Sequence, residues 1–208
     1  MGKVIGRLQV LTDLDAPLHP LDVVNAAVAA GAPVIQIRAK ALDDRALLAL
    51  SEAIVARCRE TGATCLIDDR VDIALACGAD GVHLGDRDLP VAVARRLLGP
   101  AAIIGATARD PESGQALVRA GADYLGVGPT YATTTKDGLP DPIGPSGVAA
   151  VAAAVEVPVI AIAGISLARV PEVMATGAHG IAVVGAVSRA DDPRQATVDL
   201  LAAIEAGR

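Results

Sequence analysis

Short runs of aliphatic and β-branched residues alternate with longer stretches of helical periodicity from one end of the chain to the other. The strand candidates are LQVLTD from Leu8, VIQIRAK from Val34, ATCLIDD from Ala63 and GVHLG from Gly81. They continue with AIIGAT from Ala102, YLGVGP from Tyr124, VPVIAIAG from Val157 and GIAVVGAV from Gly180. Runs this uniformly apolar suit strands of a parallel sheet, which is covered on both faces. Between them lie stretches such as LDDRALLALSEAIVARCRETG and DPRQATVDLLAAIEAG, whose apolar residues recur at helical spacing. Eight such units predict an α/β protein of the (β/α)8 TIM-barrel class, a single domain over residues 1–208. A doubly wound open sheet is the alternative that pattern leaves standing. The pair Gly-Ala recurs where helices should hand over to strands, at Gly31, Gly62, Gly78, Gly121 and Gly177. Glycine after a helix accepts the left-handed turn that reverses the chain, so this echo is structural.

Composition narrows the picture. The hydrophobic fraction is 52%, yet there is no Phe or Trp and only two tyrosines, Tyr124 and Tyr131. The core must be aliphatic, and aromatic platforms for single-stranded nucleic acid are missing. A net charge of −6 argues against nonspecific nucleic-acid or anionic-membrane partners, and an anionic substrate needs local cations or a metal. Cys58, Cys65 and Cys77 form no CxxC pair and read as reduced, partly buried thiols, which favours a cytoplasmic protein. No signal peptide or membrane-length apolar run is expected. Oligomeric state is left open, a homo-oligomer included.

Barrel active sites form at the C-terminal ends of the strands. Gln36, Arg38 and Lys40, spaced by two, should share one face of the second strand end. The third strand ends in Asp68-Asp69, and the fourth is followed by Asp86 and Asp88. Four carboxylates at neighbouring ends offer oxygen ligands to Mg2+, although Asp88 alone could be a helix N-cap. The sixth strand leads into YATTTKDGLPD, where threonine hydroxyls and Lys136 are suited to phosphate oxygens. Gly164 and Gly185 after strands seven and eight permit close backbone approach, a common phosphate position in barrels. The mouth therefore reads as two anion zones, one for a metal-bound diphosphate and one for a monophosphate.

Taken together, QIRAK, LIDDRVDIALACGADGVHLGDRDLP, GVGPTYATTTK and PVIAIAGI resemble the thiamine phosphate synthase family over nearly the whole chain. The resemblance implies a transferase of thiamine biosynthesis with Mg2+ as cofactor and two phosphorylated small-molecule substrates. It would condense hydroxymethylpyrimidine diphosphate with a thiazole phosphate, giving thiamine phosphate and diphosphate. By motif, Gln36, Arg38 and Lys40 would contact the pyrimidine diphosphate, and Asp69 and Asp88 would bind the metal. Asp68 would border that substrate, and Thr107 would supply a hydroxyl. Thr133 and Thr135 would reach the thiazole phosphate, Lys136 the diphosphate, and Gly164, Val184 and Gly185 the phosphate. Lys136, Thr107 and Arg38 are thus the candidate catalytic residues. The implied mechanism is dissociative, with no covalent nucleophile, and the segment from Asp137 to Asp141 would be the flexible part of a closing loop.

The chain departs from the family pattern at four positions. It has Asp68 where Asn is common, Asp86 for Gln, Arg109 for His, and Ala163 for the first Gly of the G-G-I turn. Asp68 adds negative charge beside a diphosphate, and two unit charges 4 Å apart repel by roughly 4 kcal/mol at an effective dielectric near 20. It must be protonated, paired with Arg38 or Lys40, or share the metal. The alternatives are a thiazole tautomerase-like paralogue and a catalytically silent phosphate-ligand regulatory barrel. Pro129, where the tautomerase branch can place a catalytic His, favours the synthase.

Overall fold

The computed structural model describes residues 5–133, 138 and 140–207. Its strands are β1 (Leu8–Leu11), β2 (Val34–Ile37), β3 (Thr64–Asp68), β4 (Gly81–Leu84), β5 (Ile103–Ala108), β6 (Tyr124–Val127), β7 (Val159–Ile162) and β8 (Gly180–Val183). Each pairs in parallel with its sequence neighbour, and β8 returns to β1 through Leu8 opposite Ile181. That closure makes a (β/α)8 barrel and disposes of the open sheet.

The outer layer is α1 (Pro20–Ala29), α2 (Asp44–Thr61), α3 (Val71–Cys77), α4 (Val91–Leu98), α5 (Pro111–Arg119), α6 (Gly144–Ala154) and α7 (Val170–Met174). It is completed by the short α8 (Gly185–Ser188) and by α9 (Pro193–Ala206). The long helices start where their carboxylates cap them. Asp43 accepts from the Ala46 amide at 2.9 Å, and Asp192 from those of Arg194 and Gln195. Such caps contribute about 1 kcal/mol each. All five glycines of the Gly-Ala echo have positive φ, from 66° to 103°, as a left-handed turn requires.

Strand alternation divides the core in two. Ile35, Ile37, Ile67, Ile104, Leu125 and Ile181 face the helices in one large cluster. Leu11, Val34, Leu66, Ile103, Tyr124, Ile160 and Ala182 fill the barrel itself. Without Phe or Trp, the bulky filler of the interior is Tyr124, which is fully buried. Gly105, opposite it on β5, makes the room: a Cβ there would lie 2.1 Å from Tyr124 Cζ. Cys58, Cys65 and Cys77 are free thiols buried in the outer cluster.

Candidate active site

The β2 strand stops at Ile37, three residues short of Lys40, where the alternation of Gln36, Arg38 and Lys40 would have to run. A shared strand face is therefore not what gathers these side chains. Arg38 and Lys40 leave the strand in a connection held by Thr12, whose hydroxyl accepts from the Arg38 amide at 2.8 Å and donates to its carbonyl at 2.9 Å. What gathers them is Asp68, the last residue of β3. It accepts from Gln36 Nε2 at 3.2 Å and from Arg38 Nη1 at 3.1 Å, with Lys40 Nζ at 3.6 Å. Of the three conditions for tolerating this carboxylate, pairing with Arg38 and Lys40 is the one observed.

Lys40 Nζ also lies 2.6 Å from Asp69 Oδ2. Desolvation opposes the ammonium, yet the hydrogen bond to Asp69 and the fields of Asp68, Asp69 and Asp88 outweigh it, raising Lys40 above its ordinary value. Burial raises Asp69 as well, helped by Asp68 and Asp88 and opposed by Lys40. Asp69 has φ 61°, a left-handed conformation that Asp tolerates better than most side chains. Three carboxylates therefore share one field, rather than the four expected, because Asp86 is exposed and away from it. Asp88 is not the cap of α4, which begins at Val91 with Pro90 before it. Its Oδ2 instead accepts from the Gly85 amide at 2.6 Å, bracing the turn after β4. Arg70 pairs outward with Asp44 and Asp72.

Further into the barrel, His83 of β4 bridges two strands. Its Nδ1 is 2.9 Å from the Tyr124 hydroxyl and its Nε2 is 3.0 Å from Thr107 Oγ1. Desolvation pushes the Tyr124 phenol far up, so it keeps its proton. Both ring nitrogens thus have a hydroxyl partner, which holds the imidazole between the two strands. Neither His83 nor Tyr124 stood among the expected site residues, although both lie on strands at inward positions. Cys65 and Cys77 stand apart from this bridge, in the cluster on the helix side of the sheet.

Across the same rim, Tyr131 lies in the connection after β6. Thr133 is half-buried and lines a small cavity of about 170 Å3 with Pro129, Tyr131, Pro140 and Asp141. Thr135 and Lys136 lie outside the described residues, as do Asp137 and Leu139 of the expected closing segment. Arg109 Nη2 donates to the Asp141 carbonyl at 2.6 Å and so holds the far end of this connection. Gly164 has φ 67°, and a Cβ there would lie 2.7 Å from the Ala132 oxygen and 2.8 Å from Tyr131 Cβ. Its need to be glycine is thus already met by the backbone of the strand-6 connection. Val184 packs its side chain on the barrel interior, and its backbone leads into Gly185, the first residue of α8. Beside them Arg189 Nε donates to Asp13 Oδ2 at 3.0 Å, with Ser188 Oγ donating to the same oxygen at 3.2 Å. Asp13 and Arg189 carry no motif spacing, being 176 residues apart in sequence.

Fold and site together define a (β/α)8-barrel protein whose mouth concentrates paired cations and carboxylates on one side and glycine turns on the other. Comparison with known proteins makes the class specific: the thiamine monophosphate synthase family model matches residues 9–187, and the chain belongs to that family. It is 48% identical over 203 residues to the thiamine-phosphate synthase of Salinispora arenicola, covering 96% of this chain and 98% of that protein. Identity to the Chlorobium luteolum thiamine-phosphate synthase is 44% over 201 residues, covering 97% and 94%. Among solved structures, the thiamine phosphate pyrophosphorylase of Pyrococcus furiosus superposes with a TM-score of 0.89 at 37% identity, covering 97% and 96%. Among the described residues no helix is long and apolar enough to cross a membrane.

Proposed function

We propose that the chain is a thiamine phosphate synthase, joining hydroxymethylpyrimidine diphosphate to hydroxyethylthiazole phosphate with release of diphosphate. The observation that carries this reading is the convergence of Gln36, Arg38 and Lys40 on the Asp68–Asp69 strand end, in a chain with synthase relatives over nearly its full length. In this reading the bond from the pyrimidine methylene carbon to the diphosphate oxygen breaks, its electron pair leaving with the diphosphate. The thiazole nitrogen then forms the new bond to that carbon. Arg38 and Lys40 would exchange their carboxylate partners for diphosphate oxygens as charge develops there. Thr107, held against His83, would offer its hydroxyl to the diphosphate, and Lys136 would add a further cation. Thr133, Thr135, Gly164, Val184 and Gly185 would hold the thiazole phosphate.

The donor set fits Mg2+. Among the described residues no three ligating side chains form a ready cage, and two carboxylates supplemented by phosphate oxygens and water suit this ion. Here two cations, Arg38 and Lys40, face three carboxylates, so a diphosphate needs further positive charge. Asp69 and Asp88 would hold the ion, which when bound supplies that charge. Buried thiols are consistent with a cytoplasmic setting.

The test is product identification. Purified protein with Mg2+ and both precursors should form thiamine phosphate, and a chelator should stop it. Isomerisation of the thiazole phosphate without condensation would mark a tautomerase, and saturable binding with no turnover a regulatory barrel.

A further inference from the structure

The connection after β6 and the turn after β7 are joined by three side chains outside the ionic mouth. Arg169 Nη1 donates to the Gly164 carbonyl at 2.6 Å, and its guanidinium carbon stands 4.2 Å from the centre of the Tyr131 ring. The Tyr131 hydroxyl donates to Glu172 Oε2 at 2.6 Å. Burial and the Glu172 carboxylate push this phenol up to about 12, so it stays a donor across the neutral range. The backbones meet at the same place. Tyr131 N donates to the Ala163 oxygen at 3.1 Å, and the missing Gly164 Cβ lets the Ala132 carbonyl close in.

We propose that Arg169, Tyr131 and Glu172 form a clamp that seats the strand-6 connection on the Gly164 turn, with Arg169 a positioning residue for the thiazole phosphate. The inference rests on the synthase reading above. One guanidinium engages both the Gly164 turn and Tyr131 of the strand-6 connection. The Gly164 carbonyl shares a planar peptide with the Ile165 amide, so holding the oxygen fixes the direction of that N–H. Tyr131 stands two residues before Thr133, so holding its ring fixes where the threonine segment begins. An exposed ion contact contributes little alone. Here stacking and a charge-assisted hydrogen bond come from one rigid plane, which loses little freedom per contact. Lysine can make the hydrogen bond but not the stack, and alanine makes neither.

Arg169→Ala, Arg169→Lys and Tyr131→Ala are assayed with each substrate varied in turn, alongside circular dichroism to confirm folding. In the two alanine variants the KM for the thiazole phosphate should rise about tenfold, as expected for losing a stacked, charge-assisted contact. The kcat and the KM for the pyrimidine diphosphate should stay near wild type, and Arg169→Lys should fall between. The double alanine variant should be no worse than the poorer single one, because each removes the same clamp. A second readout needs no turnover. With no Trp in the chain and Tyr124 fully buried, Tyr131 is the fluorophore placed to respond. Inorganic phosphate titrated into the wild-type protein should change tyrosine emission saturably, and Arg169→Ala should need about tenfold more phosphate. A wild-type enzyme making no thiamine phosphate refutes the synthase reading, while the phosphate titration still decides the clamp. Equal rises in both KM values, a loss confined to kcat, or phosphate binding indifferent to Arg169 would overturn it.

Discussion

Asp68 is the residue on which the electrostatics of the mouth turn. It occupies Gln36, Arg38 and Lys40 at once, so in the proposed synthase a diphosphate would compete with a built-in carboxylate for the same donors. Asp68→Asn keeps an acceptor for Gln36 and removes the charge. It should lower the KM for the pyrimidine diphosphate by about 3- to 10-fold, a fraction of the unscreened repulsion. A large loss of kcat instead would show that Asp68 has become a metal ligand. Lys40 gives a pH signature. Its raised pKa means that its ion pairs contribute stability fully present below the ordinary lysine value and lost as pH climbs through the raised one. Urea midpoints of wild type and Lys40→Met should therefore converge at strongly alkaline pH. Ala163, with φ 78°, sits where an L side chain is disfavoured. Ala163→Gly should leave stability unchanged or raise it by up to ~1 kcal/mol, relief of the left-handed strain being partly offset by greater freedom in the unfolded chain. A greater loss on urea unfolding would mean that the Ala163 methyl packs usefully. Gln36, Arg38, Lys40 and Asp69 were legible because strand ends concentrate polar residues against an apolar background. Asp13 with Arg189 was not, since only barrel closure brings β1 beside the chain that follows β8.

Between elements, Gly105 of β5 and Gly126 of β6 leave room for large side chains inside the barrel, Tyr124 of β6 and His83 of β4. Gly105→Ala would drive a methyl into Tyr124 and should destabilise the protein by about 1–3 kcal/mol, measured by chemical unfolding. Tyr124→Leu in that background should restore part of the loss, whereas continued full destabilisation would locate the clash elsewhere. Tyr124→Phe removes the hydroxyl partner of His83 Nδ1 inside the barrel and should cost about 1–3 kcal/mol on chemical unfolding. The eight strands were legible as elements because each is a short apolar run punctuated by glycine. Their ends were less so. Apolar patterning does not mark where pairing stops, and β2 gives up its ladder at Ile37 because Thr12 takes over the Arg38 backbone. The His83–Tyr124 bridge was hidden for a related reason: a histidine and a tyrosine on inward strand positions look like filler until the register sets them opposite a glycine.

At the scale of the molecule, closure of the barrel is what turns separate strand ends into one mouth. The cations that follow β2, the carboxylates at the end of β3 and after β4, and the glycine turns after β7 and β8 are distant in sequence but share one rim. The central claim is that this rim brings two phosphorylated substrates into a single condensation. Its most direct test is to quantify diphosphate and thiamine phosphate together, with each substrate supplied alone and then both with Mg2+. The account predicts the two products in equal amounts, formed only when both substrates are present, and lowered about 100-fold in rate by Arg38→Met. Diphosphate released without the thiazole phosphate, or no condensation product from protein shown to be folded, would contradict it.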